Sequence, residues 1–302
     1  MKQDDLLWKA VLEDVFDDFL LFFFKEEANI FDLEKGFQFL DKELDQLFPA
    51  ENEELSHPRF VDKLVKVFTK EGRDEWFLVH VEIQGYNDPD FAKRMFTYFY
   101  RILDKYNKPV TCITIFTDNN NRYKPSEYHY NFLGVETIFR YNVYKLIHQD
   151  TDELKKSDNP FALVILTALI ALQKGKLVEE EMVSLKIEIA RLLFKKALPR
   201  KKIKGIMNFL KHYVHFENPE NNIKFEQAIT VKNEVNMGTE EYLLQKAKKE
   251  GLKEGLEKGA REKSVAFIKS LLGSTDFSDE KIAAVADVTV AFVEQVKESI
   301  KS

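Results

Sequence analysis

The chain has little of what marks secreted, disulfide-stabilised or membrane-spanning proteins. Among its 302 residues Cys112 is the only cysteine, which excludes an internal disulfide and a zinc site built from several cysteines. The apolar run at residues 19–24 (FLLFFF) is far shorter than the ~20 residues that span a bilayer. Residues 1–10 lack the basic start and apolar stretch of a signal peptide. We therefore expect a cytoplasmic protein with no membrane partner.

A net positive charge is also missing. The formal net charge is −6, which argues against indiscriminate binding to polyanions, because affinity for phosphate comes from lysine and arginine. Contact with nucleic acid must then be local. The best candidate is KKALPRKKIK at residues 195–204, which contains Lys201 and Lys202 and no acid. We interpret this stretch as a solvated loop between two helices, with a DNA phosphate contact as the alternative.

Hydrophobic periodicity predicts an α/β first half. The predicted elements are a helix over 6–24, a hairpin of strands over 60–68 and 76–84, a helix over 90–106 and a strand over 109–117. A strand, a helix and a strand in this order are typical of a right-handed parallel crossover. Pro125 and Gly134 are interpreted as marking a loop.

Strand signals fade after residue 150, and the pattern becomes helical. Three helices are predicted in the segments FALVILTALIALQ, EEMVSLKIEIARLLF and KIKGIMNFLKHYVHF, packed as a bundle or a lid. The C-terminal stretch FSDEKIAAVADVTVAFVEQVKESI predicts a small helical hairpin capped by Ser278. We therefore divide the chain into an α/β domain (1–150), a helical region packed on it (151–237) and a C-terminal helical part (238–302).

The C-terminal part begins with a charged helix over residues 240–264. Its glycines, Gly251, Gly255 and Gly259, are spaced four apart. Each interior glycine costs a helix about 1 kcal/mol relative to alanine, which favours a frayed linker helix. The competing interpretation is a seam of small residues between two copies of the chain, which would make a homo-oligomer through the C-terminal helices.

One strand changes character along its length. Residues 76–84 (WFLVHVEIQ) have one wholly apolar face, whereas the other face ends on His80, Glu82 and Gln84. Polar side chains at the carboxyl end of a strand lie where open α/β sheets place their ligand sites. The helix that follows presents Lys93 and Arg94 beside this end, and we expect them to contact a phosphate.

The simplest pairing of the hairpin puts Phe68 opposite Trp76, and therefore Asp62 opposite Glu82. Two carboxylates about 5 Å apart on one face repel each other. A divalent cation between them makes the arrangement favourable, since Mg²⁺ is held by one or two carboxylates, water and phosphate oxygens. We infer a Mg²⁺ or Mn²⁺ site at Asp62 and Glu82. The alternative is a solvated strand end.

The block DKLVKVF…WFLVHVEIQGYNDPDFAKRMFTYFYRILDKYNKPVTCITIFTD carries a resemblance to a known family. It resembles the Rpn family of recombination-promoting nucleases, the transposase-like branch of the PD-(D/E)xK nuclease superfamily. The similarity covers residues 8–150, and HVEIQ, the helix start FAKRMFTY and the strand PVTCITIFTD make it specific. The resemblance implies a restriction-endonuclease-like core, a mixed sheet with flanking helices, followed by an all-α region. It also implies metal-dependent cleavage of DNA.

The resemblance implies roles for particular residues. Asp62 corresponds to the motif aspartate and Glu82 to the second carboxylate, while Gln84 stands where the superfamily has a lysine. Glutamine carries no charge and cannot act as an acid or a base, so it can only position water or bond to phosphate. His80 shares its face and is a candidate helper. Other members of the fold take a third carboxylate from an early helix.

Two residues are candidates for that third carboxylate. We prefer Asp18, on the phenylalanine-rich helix, and place Glu43, just before the hairpin, second. For each the competing interpretation is a solvated acidic face. Because glutamine replaces lysine, the second hypothesis for the whole chain is a DNA- or protein-binding module whose catalytic power has decayed.

Overall fold

The computed structural model describes residues 3–47, 62–70, 76–236, 264–274, 277–286 and 288–301. The chain forms two compact units, Met1–Ile229 and Thr230–Ser302. The first unit contains a mixed sheet with helices, and the described part of the second is helical. The predicted α/β class with a helical C-terminal region is thus confirmed.

Seven strands are found in the described residues, five of them in one mixed sheet. Along the chain they are β1 (Phe37–Phe39), β2 (Asp62–Phe68), β3 (Trp76–Gln84), β4 (Val110–Phe116), β5 (Glu127–Phe132), β6 (Val135–Arg140) and β7 (Asn142–Lys145). The sheet has the order β1-β2-β3-β4-β7, and β5 and β6 form a separate pair. β1, β2 and β3 are antiparallel neighbours, whereas β3, β4 and β7 run parallel.

The helices of the first part of the chain are α1 (Gln3–Asp14), α2 (Phe16–Phe23), α3 (Asp41–Leu47), α4 (Phe91–Tyr106), α5 (Thr151–Lys156), α6 (Phe161–Ala171), α7 (Glu179–Lys195), α8 (Arg200–Tyr213) and α9 (Pro219–Asn236). α4 connects β3 to β4, which confirms the predicted parallel crossover. α6, α7 and α8 pack against one another, which confirms the three predicted helices. α6 is buried on almost every side, as expected for a helix that is apolar all round.

The register of the β2–β3 hairpin is the predicted one. Phe68 pairs with Trp76 and Asp62 pairs with Glu82. A slip by one residue would turn the buried valines of β3 toward the polar face, and burying each such side chain contributes about 1.5–3 kcal/mol. The alternation of apolar residues therefore fixes the position of Glu82.

The sheet separates two cores. Val79, Val81 and Ile83 of β3 belong to the larger core, which also contains side chains of α1, α2, α6, α7 and α8. On the opposite face Leu64 and Leu78 pack with α4 in the smaller core. Glu82 and Gln84 lie on the α4 face of β3, since they alternate with the residues of the larger core.

Two predictions about local structure are wrong. The single helix predicted over 6–24 is two helices, because the chain bends at Val15, whose φ is −133° and ψ 33°. The predicted loop around Pro125 and Gly134 contains the β5–β6 hairpin, with Gly134 in its turn at a φ of 84°. Glycine adopts this left-handed conformation without strain.

The interpretation of residues 195–204 as a loop between two helices is confirmed for residues 196–199 and wrong for residues 200–204. α7 ends at Lys195 and α8 begins at Arg200, so Lys201 and Lys202 lie in the first turn of a helix. Pro199 directly precedes this helix, where its fixed φ and missing N–H cost nothing. The basic residues are therefore held on a helix that packs against α1.

The second unit has a small core of its own. Residues 264–274 (α10), α11 (Asp279–Ala286) and α12 (Val290–Lys301) bury Ile268, Ile282 and Val293. Ser278 Oγ accepts a hydrogen bond from the Lys281 N–H at 3.4 Å, so the predicted cap is confirmed. The glycine repeat at 251–259 lies outside the described residues. No helix in the described ranges is long and apolar enough to cross a membrane.

Candidate metal and nucleic-acid site

The polar end of β3 is buried rather than solvated. His80, Glu82 and Gln84 are each at most 1% exposed. They lie on the face covered by α4, next to Leu78 of the smaller core. A buried charge or amide needs a partner to offset the loss of hydration, so the partners of these side chains define the site. The interpretation of a solvated strand end is wrong.

Only one of the two carboxylate oxygens of Glu82 has a hydrogen-bond partner. Its Oε1 accepts a hydrogen bond from Arg94 Nη2 at 3.1 Å, whereas its Oε2 is buried without a hydrogen-bond partner. An unpartnered carboxylate oxygen in the interior costs on the order of 1–3 kcal/mol or more. Glu82 pairs with Asp62 on one side and Thr114 on the other, and directly paired antiparallel positions share a face of the sheet.

Arg94 connects the polar residues at this end of the sheet. Its Nη2 donates to Gln84 Oε1 at 2.9 Å as well as to Glu82, and its Nη1 is paired with Asp88. The guanidinium also lies 5.0 Å from the centre of the Phe91 ring. The predicted phosphate-binding arginine is therefore bonded to the predicted catalytic residues, and 24% of its side chain is exposed.

Gln84 has a defined orientation. Its Nε2 donates to the Tyr86 carbonyl oxygen at 2.7 Å while its Oε1 accepts from Arg94. An amide that donates at one end and accepts at the other cannot be flipped without losing both bonds. Gln84 thus holds the Arg94 guanidinium beside Glu82. The positive charge next to Gln84 is therefore that of the Arg94 guanidinium.

Asp88 extends the network toward the next loop. Asp88 Oδ1 accepts the Asp90 N–H at 2.9 Å, at the start of α4. The Asp88 backbone exchanges two hydrogen bonds of 3.0 Å with the Tyr123 hydroxyl. Burial, with smaller opposing contributions, raises the pKa of Tyr123 to about 12, so this hydroxyl keeps its proton at neutral pH.

A second buried ion pair was not predicted from the sequence. Lys145 Nζ lies 2.6 Å from Asp118 Oδ2, and both side chains are buried. Asp118 Oδ1 accepts the Asn120 N–H at 2.8 Å, a bond that aspartate side chains commonly make in turns. In the sheet, Lys145 pairs with Phe116, and Phe116 pairs with Gln84. Lys145 therefore lies two strands from Gln84, at the same level of the sheet.

Lys63 is another buried cation that the sequence did not single out. It is 1% exposed and is paired with Glu13 of α1 and with Asp41 of α3, the latter at 2.5 Å. The signal was present in the sequence as a lysine inside an apolar strand. Since lysine is rarely buried without a partner, such a position predicts an acid nearby.

His80 is an uncharged core residue. It is fully buried, and neither ring nitrogen has a hydrogen-bond partner. Its ring packs edge-on against Tyr98, with centroids 5.0 Å apart. Burial, aided by the charge of Arg94, lowers the pKa of His80 to about 3. A base this weak does not accept a proton at neutral pH, which disfavours the proposed helper role.

Burial of neutral His80 predicts a pH-dependent stability. Its folded pKa of about 3 lies below the unfolded value of ~6.5, so the unfolded chain binds the extra proton between these values. Stability is then lost as pH falls, by about 2 kcal/mol between pH 7 and pH 5. Urea unfolding at the two pH values should show this loss in the wild type but not in His80→Leu. His148→Leu, at an exposed position, should behave as the wild type does; equal losses in all three proteins would contradict the assignment.

The two candidates for a third carboxylate, Asp18 and Glu43, lie near residues that are not part of the site around Glu82. Asp18 Oδ2 is 2.7 Å from Lys202 Nζ, and burial, partly offset by this lysine, raises the pKa of Asp18. Glu43 lies near Tyr106 and helps to raise the pKa of that hydroxyl, which burial raises most. Tyr106 packs against Trp76 at the amino end of β3, whereas Glu82 is near the carboxyl end. The structure brings neither acid together with Glu82.

The predicted phosphate contacts differ in availability. Lys202 is 17% exposed and is paired with Asp17 and Asp18. Lys201 is 75% exposed and lies 3.6 Å from Asp14. Lys93 is exposed on α4, one residue before Arg94. Lys93 and Lys201 are therefore the cations of this set that solvent reaches freely.

The side chains at this end of β3 include one oxygen that suits a divalent cation and one positive charge that opposes its binding. The buried, unpartnered Oε2 of Glu82 is the kind of oxygen that Mg²⁺ binds. The Arg94 guanidinium beside Oε1 repels a cation. For Asp62 the structure describes the backbone and not the side chain. In the described residues no group of three or more His, Cys, Asp or Glu is arranged to hold a metal.

No family model, curated protein or solved structure matches this chain.

Proposed function

We propose that the chain is a metal-dependent DNA endonuclease of the recombination-promoting type, built on a PD-(D/E)xK core. The observation that supports this most is the pairing of Asp62 with Glu82, together with the buried oxygen of Glu82 that has no partner. Two acids paired across a hairpin are favourable only if positive charge lies between or beside them. Arg94 contacts Oε1 of Glu82, and Oε2 is left for a cation.

Asp62 and Glu82 would hold the Mg²⁺ or Mn²⁺ ion. When bound there, such an ion lowers the pKa of a coordinated water and stabilises charge on the phosphate. Gln84 fixes the Arg94 guanidinium through a 2.9 Å hydrogen bond. Arginine matches phosphate oxygens with two parallel hydrogen bonds, so Arg94 would contribute charge that glutamine cannot. Lys93, exposed on the same helix, would add a phosphate contact.

The proposal is tested by plasmid cleavage. Purified protein should nick or linearise supercoiled DNA in the presence of Mg²⁺ or Mn²⁺, and EDTA should stop the reaction. Cleavage that continues in excess EDTA would show that no divalent ion is needed, and would refute the proposal.

A second candidate function is a nuclease-fold module that binds DNA or protein without turnover. It is favoured by the Arg94–Glu82 ion pair of 3.1 Å and by the burial of Glu82 and Gln84, since an internal salt bridge stabilises a fold without any ion. This function predicts DNA binding in gel shifts at low salt with intact plasmid after incubation with Mn²⁺. The homo-oligomer through the C-terminal helices stays a prediction, because its glycine repeat lies outside the described residues.

A further inference from the structure

The β5–β6 hairpin is a separate two-stranded sheet in the described part of the chain. Hairpins of two strands are barely stable alone in water, and this one is held by α4, where Phe96 stacks on Tyr128 of β5 with ring centroids 5.0 Å apart. Among the described strands, β6 pairs only with β5. Natural edge strands are commonly protected by charged side chains, above all lysine, by proline or by a bulge. The β6 sequence VETIFR contains neither lysine nor proline, and its two charged residues, Glu136 and Arg140, are of opposite sign.

The turn fixes which backbone groups of β6 point outward. Leu133 and Gly134 form a two-residue turn with φ of 46° and 84°, closed by the pair Phe132–Val135. In such a hairpin the closing pair exchanges backbone hydrogen bonds, and the pattern repeats at every second residue. The hydrogen bond of 3.2 Å from the Tyr141 N–H to the Ser126 carbonyl oxygen agrees with this alternation, because Tyr141 lies an even number of residues from Val135.

The residues between these bonded positions therefore present their backbone N–H and C=O groups to the edge of β6 that faces away from β5. They are Glu136, Ile138 and Arg140. Their side chains also share one face of the hairpin, and they are 56%, 49% and 73% exposed. Hydrogen-bonding groups, an apolar side chain and two opposite charges thus lie together along one accessible edge.

The order of these residues is complementary to itself. If a second β6 pairs antiparallel about a two-fold axis at Ile138, the two Ile138 side chains are opposite each other. Glu136 of each copy is then opposite Arg140 of the other, which gives two cross-strand ion pairs. Opposite charges and apolar pairs at directly opposed positions stabilise antiparallel strands. We propose that two copies of this chain associate through β6 to form a continuous four-stranded sheet.

The other edge of the hairpin lacks this complementarity. On β5 the equivalent outward residues are Glu127, His129 and Asn131. Pairing about His129 would put Glu127 opposite Asn131 and would bring two histidines together, so no ion pair would form. The pairs that Arg140 makes with Glu127 and that Glu136 makes with His129, both 2.9 Å, are exposed. Such exposed pairs contribute little, and they do not compete strongly with pairing between copies.

Charge reversal tests this pairing in the full-length protein by sedimentation velocity across a concentration series. The wild type should dimerise, and Glu136→Arg or Arg140→Glu alone should weaken the dimer by about tenfold or more, because like charges then face each other twice. A one-to-one mixture of the two variants should dimerise as the wild type does, because the arginine introduced in one variant then meets the glutamate introduced in the other. A monomeric wild type, or a mixture no better than either variant alone, would overturn the proposal.

Cysteine cross-linking distinguishes this interface from one at the C-terminal helices. Under mild oxidation Ile138→Cys should form a disulfide-linked dimer, since opposed Cα atoms of ~5.5 Å spacing suit a disulfide. His129→Cys, on the same face of β5, should not, because three strand spacings would separate its copies by about 14 Å. The native Cys112 is buried, and oxidation of the wild type measures any cross-linking through it. Equal cross-linking at 129 and 138 would overturn the assignment of β6. Neither result depends on whether the protein cuts DNA.

Discussion

Replacing Glu82 with glutamine is expected to lower the rate of Mg²⁺-dependent plasmid cleavage by about a thousandfold. Stabilisation of a transition state by a metal is worth several kcal/mol, and each 1.36 kcal/mol is a factor of ten in rate. Glutamine keeps the shape of the side chain and can still accept the Arg94 hydrogen bond, but it loses the charge that holds a cation. The fold should therefore persist while cleavage is lost.

The control for this variant is Asp104→Asn. Asp104 is exposed on α4, so the same change of charge and shape there should leave cleavage unchanged. Asp62→Asn should repeat the loss seen in Glu82→Gln. If Glu82→Gln retains a rate within about tenfold of the wild type, Glu82 does not hold the metal. Thermal melting of each variant separates loss of chemistry from loss of fold.

Replacing Arg94 with methionine is expected to reduce the free energy of unfolding by about 3 kcal/mol. Arg94 is bonded to Glu82, Gln84 and Asp88, and its removal leaves two buried carboxylates without a counter-charge. Breaking a buried ion pair from one side is costly for this reason. Lys93→Met, at the exposed neighbouring position, should change stability by no more than about 0.5 kcal/mol.

The same variant distinguishes the two proposed functions. Without Arg94, a cation bound at Asp62 and Glu82 would be the remaining positive charge beside Glu82, so millimolar Mg²⁺ should restore part of the lost stability through binding to the folded state. Urea unfolding with and without Mg²⁺ measures this. If Arg94→Met is as stable as Lys93→Met, the ion pairs of Arg94 do not contribute to the free energy of unfolding. A deficit that Mg²⁺ does not reduce would favour the non-catalytic module.

Much of the sheet could be predicted because its signals are local. In β3 every second residue is apolar over a long stretch, and this alternation fixes both the register and the face of Glu82. The spacing of apolar residues in α4 likewise determined its bounds to within one residue. Where burial is dictated by such periodicity, the sequence alone was sufficient.

The partners of the buried charges could not be predicted, because they depend on contacts between distant segments. Arg94 was expected to contact a phosphate, but it is bonded to side chains of β3 and of the following loop. Lys145 and Asp118 meet only because β4 and β7 are neighbours. The β5–β6 hairpin was missed because its turn is Leu-Gly, and the usual signal of such a turn is Asn-Gly or Asp-Gly.

The central claim is that Asp62 and Glu82 together bind a divalent ion. The most direct test is a crystal grown or soaked with Mn²⁺ and measured by anomalous scattering. The account predicts a peak in contact with both carboxylates, and its loss in Glu82→Gln. Ordered Asp62 and Glu82 side chains with no Mn²⁺ between them, and Mn²⁺ bound only elsewhere, would contradict it.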